Sequence, residues 1–246
     1  MPLSFSAFFA QLLENPALLL TTLLLLGVLL VNGWTDAPNA ISAAVVTGAL
    51  PFRRAALLAA GCNFLGVLCV TKVNASVAET VYSIARFGGG TKAALTALCA
   101  AMAAIVLWAV LAWAMGIPTS ESHALVAGIS GAAAALEGSF SCINPVAWCK
   151  VLLGLGLSLL AGFWAGEWFR RRLNCVKWND HTFRLAQIPG AAGAAFLHGA
   201  QDGQKFLGVF LLGSALARGE GDAAMGAAPV WLMGLCAGCM ALGTLM

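Results

Sequence analysis

Charge is what this sequence has least of. Only 9% of its 246 residues are Asp, Glu, Lys or Arg, while 61% are hydrophobic; a soluble domain carries about 25% charged residues. With a mean hydropathy of +0.89, that shortage excludes an ordinary soluble domain and points to an integral membrane protein. The net charge of +3 is small and dispersed. It offers no surface for nucleic acid, and the Lys and Arg residues report membrane orientation instead. Alternating segments of about ten residues are missing, which excludes a β-barrel. The N-terminus lacks a basic n-region and a persuasive cleavage site, so it is expected to be retained rather than removed as a signal peptide. His123, Ser122 and Asp36 have no Gly-x-Ser-x-Gly or His-Glu-x-x-His around them, so an intramembrane hydrolase has no motif support.

Cysteine is present but unpatterned. Eight are scattered, most within apolar segments, where Cys acts as a small hydrophobe. Cys236-Ala-Gly-Cys239 has redox or metal spacing, but no second pair or His accompanies it. Two small residues on one helix face are the expected reading.

What the sequence does have is long apolar runs, with two polar stretches inside them. One is Asn32-Gly33-Trp34-Thr35-Asp36-Ala37-Pro38-Asn39; the other is His198-Gly199-Ala200-Gln201-Asp202-Gly203-Gln204-Lys205. Both contain Gly-x-x-Asp, followed three positions later by Asn39 or Lys205. A carboxylate at mid-membrane costs roughly 2.5–3.5 kcal/mol on insertion scales, so each Asp is a functional candidate by default. Their alternative is a helix cap or, for Asp202, a pair with Lys205.

Along the chain, residues 3–14 read as a mildly amphipathic lead-in lying at the interface. The apolar run 17–50 is too long for one straight span of a hydrocarbon core about 30 Å thick, and Gly33 and Pro38 predict a break there. Arg53-Arg54 marks a cytoplasmic turn and places the N-terminus outside. A span over about 55–71 returns outward to a mixed-charge loop over 72–92. Residues 93–115 then lead to Gly116-Ile117-Pro118-Thr119-Ser120-Glu121-Ser122-His123, and a short apolar segment runs from Ala124 to Leu136. This pair is either a hairpin entering from outside or two crossings. Pro118 and Ser120 fit a helix start with Ser as N-cap, and a helix start buried in the membrane suits an anion. A span over about 146–168 leads to the most basic stretch, residues 170–185, expected in the cytoplasm. The run 186–217 carries Asp202 near mid-depth, and a last span begins near Pro229. The first motif therefore runs outside to inside and the second inside to outside. That is the mark of an inverted-topology repeat with its site at the midplane.

These stretches resemble the PiT family of inorganic phosphate transporters. The family's duplicated signature is approximately Gly-Ala-Asn-Asp-x-x-Asn-Ala. A bacterial branch opens its first copy with Asn-Gly-Phe-His-Asp and has His-Gly-Ala-Asn-Asp-Gly-Gln-Lys as its second. The first stretch matches at Asn32, Gly33, Asp36, Asn39 and Ala40, and His198–Lys205 matches the second closely. The segment from Gly116 to Val126 resembles the family's Gly-x-Pro-x-Ser-x-x-His-Ala hairpin. Thr35 and Gln201 depart from the usual Asn or His, Glu121 stands where a small polar residue is usual, and a second such hairpin is absent from the sequence.

The resemblance implies an all-α polytopic membrane protein with inverted-topology repeats, broken helices and a re-entrant-type hairpin. Residues 1–169 would form the first repeat, 170–185 a basic loop, and 186–246 the start of an incomplete second repeat. It implies import of orthophosphate with Na⁺ or H⁺ across the cell inner (plasma) membrane and no other cofactor. The alternatives are a sulfate or other oxyanion permease of the same architecture and a non-transporting half that needs a partner chain. Other implied partners are membrane lipid and either a homodimer mate or a second chain completing the fold. Asn39, Thr119, Ser120, Ser122, Gln201 and Lys205 are the expected substrate ligands. Asn32, Thr35, Asp36 and Asp202 are the expected cation-coupling residues, with Na⁺ at Asp36 and Asp202. His123 is expected to satisfy a backbone carbonyl, and Glu121 is left without a role.

Overall fold

The computed structural model describes residues 3–117, 119–221 and 223–246, and Ala37 by its backbone alone. Pro118, read above as part of a helix start, lies outside the described residues. The elements are helices: α1 (Phe5–Glu14), α2 (Pro16–Val46), α3 (Phe52–Val73), α4 (Ser76–Tyr82), α5 (Thr91–Ala114), α6 (Glu121–Glu137), a 3₁₀ turn (Phe140–Cys142), α7 (Pro145–Asn174), α8 (Asp180–Ala217) and α9 (Val230–Leu245). α2, α3, α5 and α7 are each long and apolar enough to cross a membrane.

The helix ends follow local chemistry. Asn15 closes α1 and opens α2, its side-chain oxygen accepting from the Ala17 and Leu18 amides, with Pro16 in the first turn. Asn144 and Pro145 open α7 in the same way. Ser120 caps α6 by accepting from the His123 amide, as expected, and Gly138 ends that helix at φ +64°. The expected loop over 72–92 contains α4, and it is pinned to the start of α7. The Arg86 amide donates to the Cys142 carbonyl (2.9 Å) and the Asn144 amide to the Ile84 carbonyl (3.0 Å). The stretch 170–185 is non-helical only between Asn174 and Asp180, because α7 and α8 extend into it.

α2 and α8 cross antiparallel. A Cβ on Gly213 would sit 3.5 Å from Leu18, Asn32 bonds Asp202 at the middle, and Thr47 donates to Gln187 (2.9 Å) at the other end. α9 packs along α2 and α3 along α8. The hairpin of α5 and α6 leans on α2 through α5, where Val106 faces Gly27, and Leu95, Leu98, Met102 and Ile105 of α5 are buried. The hairpin does not run the length of α2. Its tip, where Gly116 takes φ +66°, shares a cavity with Thr35, Asp36 and Asn39 of α2. That is about 10–16 Å short of the α2 end at Val46. Of the two readings, the structure therefore favours a hairpin that enters from the α2 N-terminal side and turns back.

The break expected at Gly33 and Pro38 is absent, since α2 is one helix through both. Pro38 withholds only its own amide from the Trp34 carbonyl, and the helix continues past it. Gly33 has a different use. A Cβ there would strike the Met240 carbonyl and come within 2.9 Å of the Thr244 nitrogen, so the glycine lets α9 lie against the α2 backbone. The interruption lies between α5 and α6, where the chain leaves the helix and restarts at Ser120.

The other close approaches repeat this one. A Cβ on Gly199 would strike the Asn63 carbonyl of α3; one on Gly66 the Phe196 carbonyl of α8; one on Gly243 the Leu30 carbonyl of α2. Leu30 and Gly33 stand in the first motif's helix as Phe196 and Gly199 stand in the second's. Asn63 and Gly66 are spaced as Met240 and Gly243 are. The α2–α9 and α8–α3 contacts are thus made at matching positions.

Candidate functional site

The two motif aspartates meet where α2 and α8 cross. Asn32, fully buried, donates to Asp36 (Oδ2, 3.2 Å) and to Asp202 (Oδ2, 3.0 Å), tying the two motifs through one amide. Asp202 is 6% exposed and takes Lys205 Nζ on its other oxygen at 2.5 Å. Lys205, one helical turn beyond Asp202, also donates to Ser122 Oγ at the start of α6. A charge-assisted pair of this kind contributes about 1.5–3 kcal/mol per hydrogen bond. Here it also joins α8 to the hairpin. Thr35 donates to Oε1 of Glu121, the first residue of α6, so each motif helix holds the hairpin start by one polar contact.

His198 completes the cluster, and sequence reasoning missed it. Its Nε2 lies 3.5 Å from Asp202 Oδ2, and its Nδ1 faces Asn63 Oδ1 at 3.3 Å; Asn63 in turn donates to Thr244 (2.9 Å). One ligand atom each from Asp36, His198 and Asp202 lie within 4.8 Å of one another, the one group of three such residues among those described. His198 falls one helical turn before Asp202, where an i,i+4 pair shares a face. That spacing was the available signal. For a hard cation the two carboxylates are the apt ligands, with His198 flanking them.

Thr35, Asp36, Asn39 and Thr119 line a cavity of about 280 Å³ with Trp113 and Gly116. Thr119 accepts from Trp108 Nε1 (2.6 Å), which holds the approach to the α6 start against α5. Ser120 is spent on capping α6, and Ser122 on Lys205. Asn39 is exposed beside the cavity. Gln201 is exposed too and has no partner among the contacts described. The expected ligands therefore divide: Asn32, Thr35, Asp36, Ser122, Asp202 and Lys205 come together, Asn39 and Thr119 border the same space, and Gln201 stands apart. Glu121, without a role in the sequence reading, is 1% exposed at the centre of the cluster.

The two halves of the site are not equally covered. Gly27 of α2 faces Val106 of the hairpin, and Thr35 meets Glu121. Their counterparts on α8 are Gly193, which faces open space, and the exposed Gln201. Leu197, on the same stripe, is 59% exposed.

Comparison with known proteins identifies the family. A model of the phosphate transporter family matches residues 32–178 and 168–246. A probable low-affinity inorganic phosphate transporter of Bacillus subtilis (strain 168) is 34% identical over 221 residues, covering 87% of this chain and 64% of the relative. One from Mycobacterium bovis is 31% identical over 224 residues, covering 87% of this chain and 51% of the relative. The low-affinity inorganic phosphate transporter PitB of Escherichia coli (strain K12) is 29% identical over 212 residues, covering 74% and 42%. The chain thus spans less than two thirds of the length of these relatives. A solved structure described as the sodium-dependent phosphate transporter superposes with a TM-score of 0.73 at 18% identity, over 94% of this chain and 75% of that one, and shows the shared fold. The family resemblance expected from the motifs holds: this chain belongs to the phosphate transporter family.

Proposed function

We propose that this chain carries the cation-coupled phosphate site of a secondary transporter that imports inorganic phosphate with Na⁺ or H⁺. The observation that carries the reading is the meeting of Asp36 and Asp202 across the antiparallel crossing of α2 and α8, joined by Asn32 and bordered by the start of α6. Two carboxylates suit a hard cation. Phosphate belongs beside them, at the amides and hydroxyls of the hairpin tip, where the helix N-terminus favours an anion. The cavity bordered by Thr35, Asn39 and Thr119 is the place for it. Lys205 is committed to Asp202 and Ser122 and reaches phosphate only by releasing one of them.

The matched glycine contacts support an inverted repeat of α2–α3 and α8–α9 about the crossing. The arginines near residues 53 and 170 support an inner-face placement for those ends in the plasma membrane, with the N-terminus outside. The open α8 stripe and the greater length of the relatives support completion of the site by further polypeptide.

The test is uptake of radiolabelled phosphate into proteoliposomes containing this chain, under imposed Na⁺ and pH gradients in turn. Accumulation driven by one gradient is expected and names the ion. Its absence, from protein shown to be folded, refutes the reading for this chain alone and assigns the activity to a larger assembly. Competition by arsenate rather than molybdate separates phosphate from sulfate.

A further inference from the structure

A second polar cavity, of about 670 Å³, opens between α4, the start of α7 and the loop after α8. α8 runs about 22 Å from Asp202 to its end at Ala217 before that loop begins, so the cavity is remote from the crossing. Its walls are clamped together. The Arg86 amide donates to the Cys142 carbonyl (2.9 Å), the Asn144 amide to the Ile84 carbonyl (3.0 Å) and Asn144 Nδ2 to the Ser83 carbonyl (3.0 Å). Arg86 on one wall and Lys150 on the other line this single space. Glu79 lines it too, yet among the described residues it pairs with neither cation, whereas Arg170, Arg171 and Arg218 each hold a neighbouring carboxylate. Thr80, Ser83 and Asn144 already donate to backbone carbonyls. That leaves the Arg86 guanidinium and the Lys150 ammonium as the unengaged cationic donors of the cavity. The orientation proposed above puts the cavity on the outer face, where Lys and Arg are ordinarily sparse. Two cations held on one cavity repel each other unless an anion lies between them.

We infer that Arg86 and Lys150 bind a phosphoryl anion in this cavity. A guanidinium matches two phosphoryl oxygens at once, and an ammonium adds a point charge beside it. The backbone clamp sets the two walls before binding, so little ordering is left for the ligand to impose. Two sources share that chemistry. One is the headgroup of an anionic phospholipid, since α7 is bathed in lipid and its Val146, Leu152 and Leu153, on either side of Lys150 in the chain, are exposed. The other is inorganic phosphate held at the outer face ahead of transport, and this source alone rests on the transport reading above. Toward either ligand Glu79 acts as a charge of the same sign.

Two measurements on the purified chain in detergent test the site: retention of phosphatidylglycerol by native mass spectrometry, and equilibrium dialysis against radiolabelled orthophosphate. Arg86→Gln combined with Lys150→Gln is expected to weaken at least one of them by about tenfold or more, and Arg86→Lys combined with Lys150→Arg to keep most of it. Loss of lipid retention alone identifies the headgroup, loss of orthophosphate binding alone identifies the free ion, and loss of both means that the cavity accepts either. Glu79→Gln removes the opposing charge at an exposed position and is expected to tighten the same ligand by about threefold. This gain carries the test if the double Gln variant does not fold. Wild type that holds neither ligand, a double Gln variant that binds both as wild type does, or no gain in Glu79→Gln overturns the site. Failed phosphate uptake with these binding results intact counts against the transport reading alone.

Discussion

At the scale of single residues, Asp202 and Lys205 bear the largest consequence. Removing one member of a buried ion pair strands the other and costs about 3–5 kcal/mol. Lys205→Met is therefore expected to lower unfolding stability by about that amount. Asp202→Asn combined with it should recover part of the loss, giving a coupling readable from a double-mutant cycle in denaturant. Asp36 is less enclosed, and its role is expected to be functional rather than structural. Asp36→Asn should insert and fold normally yet abolish gradient-driven phosphate uptake; normal uptake would remove Asp36 from coupling. Both aspartates, Asn32 and Lys205 could be read from the sequence, since polar side chains inside apolar runs have few uses. His198 offered only its i,i+4 spacing to Asp202 as a signal, and Glu121 offered none. His198 is placed by Asn63 of α3, far away in the chain, and Glu121 by Thr35 on another helix. Neither motif predicts such partners.

At the scale of helices, the glycines separate into those that are filled and those that are free. Gly199 lies against the Asn63 backbone, so Gly199→Ala forces α8 away from α3 and is expected to cost about 1–3 kcal/mol. Gly193→Ala on the same helix meets open space and should leave stability unchanged or slightly raised. Thermal unfolding of the two variants in detergent makes the comparison; equal losses would refute the packing account. The spans, the Ser120 cap and the final helix after Pro229 were legible because hydropathy and capping are local. The behaviour of Gly33 and Pro38 was not. Both are helix breakers in isolation, but a continuous α2 packs against α8 and α9, and that packing outweighs one missing hydrogen bond.

At the scale of the whole molecule, α7 stands apart. Only 6% of its apolar window is buried, and Leu153, Leu157, Leu160, Phe163 and Trp164 are largely exposed, as suits a helix bathed in lipid. It links the end bearing Asn144 to the end bearing Trp178, so a cysteine at either loop reports orientation. In a background with the eight native cysteines replaced, Trp178→Cys is expected to react with an impermeant maleimide only from the cytoplasmic side, and Phe140→Cys only from outside. The reverse pattern would invert the topology. The architecture was legible as a class, because two like motifs of opposite polarity imply a crossing. That the crossing would be well covered on the α2 side and bare on the α8 side was not, since it depends on where the hairpin docks.

The matched glycine contacts have a mechanical consequence. The four glycines press backbone on backbone between α2 and α9 and between α8 and α3, with no side chain there available to deform, whereas α2 and α8 meet each other through side chains from Leu18, through Asn32 and Asp202, to Thr47. The molecule is therefore two stiff double planks, α2 with α9 and α8 with α3, laid against each other on a layer of felt. Each plank keeps its shape while the felt takes up any slip between them. Asn32, Asp36 and Asp202 lie in the felt, where a slip between the planks is registered first.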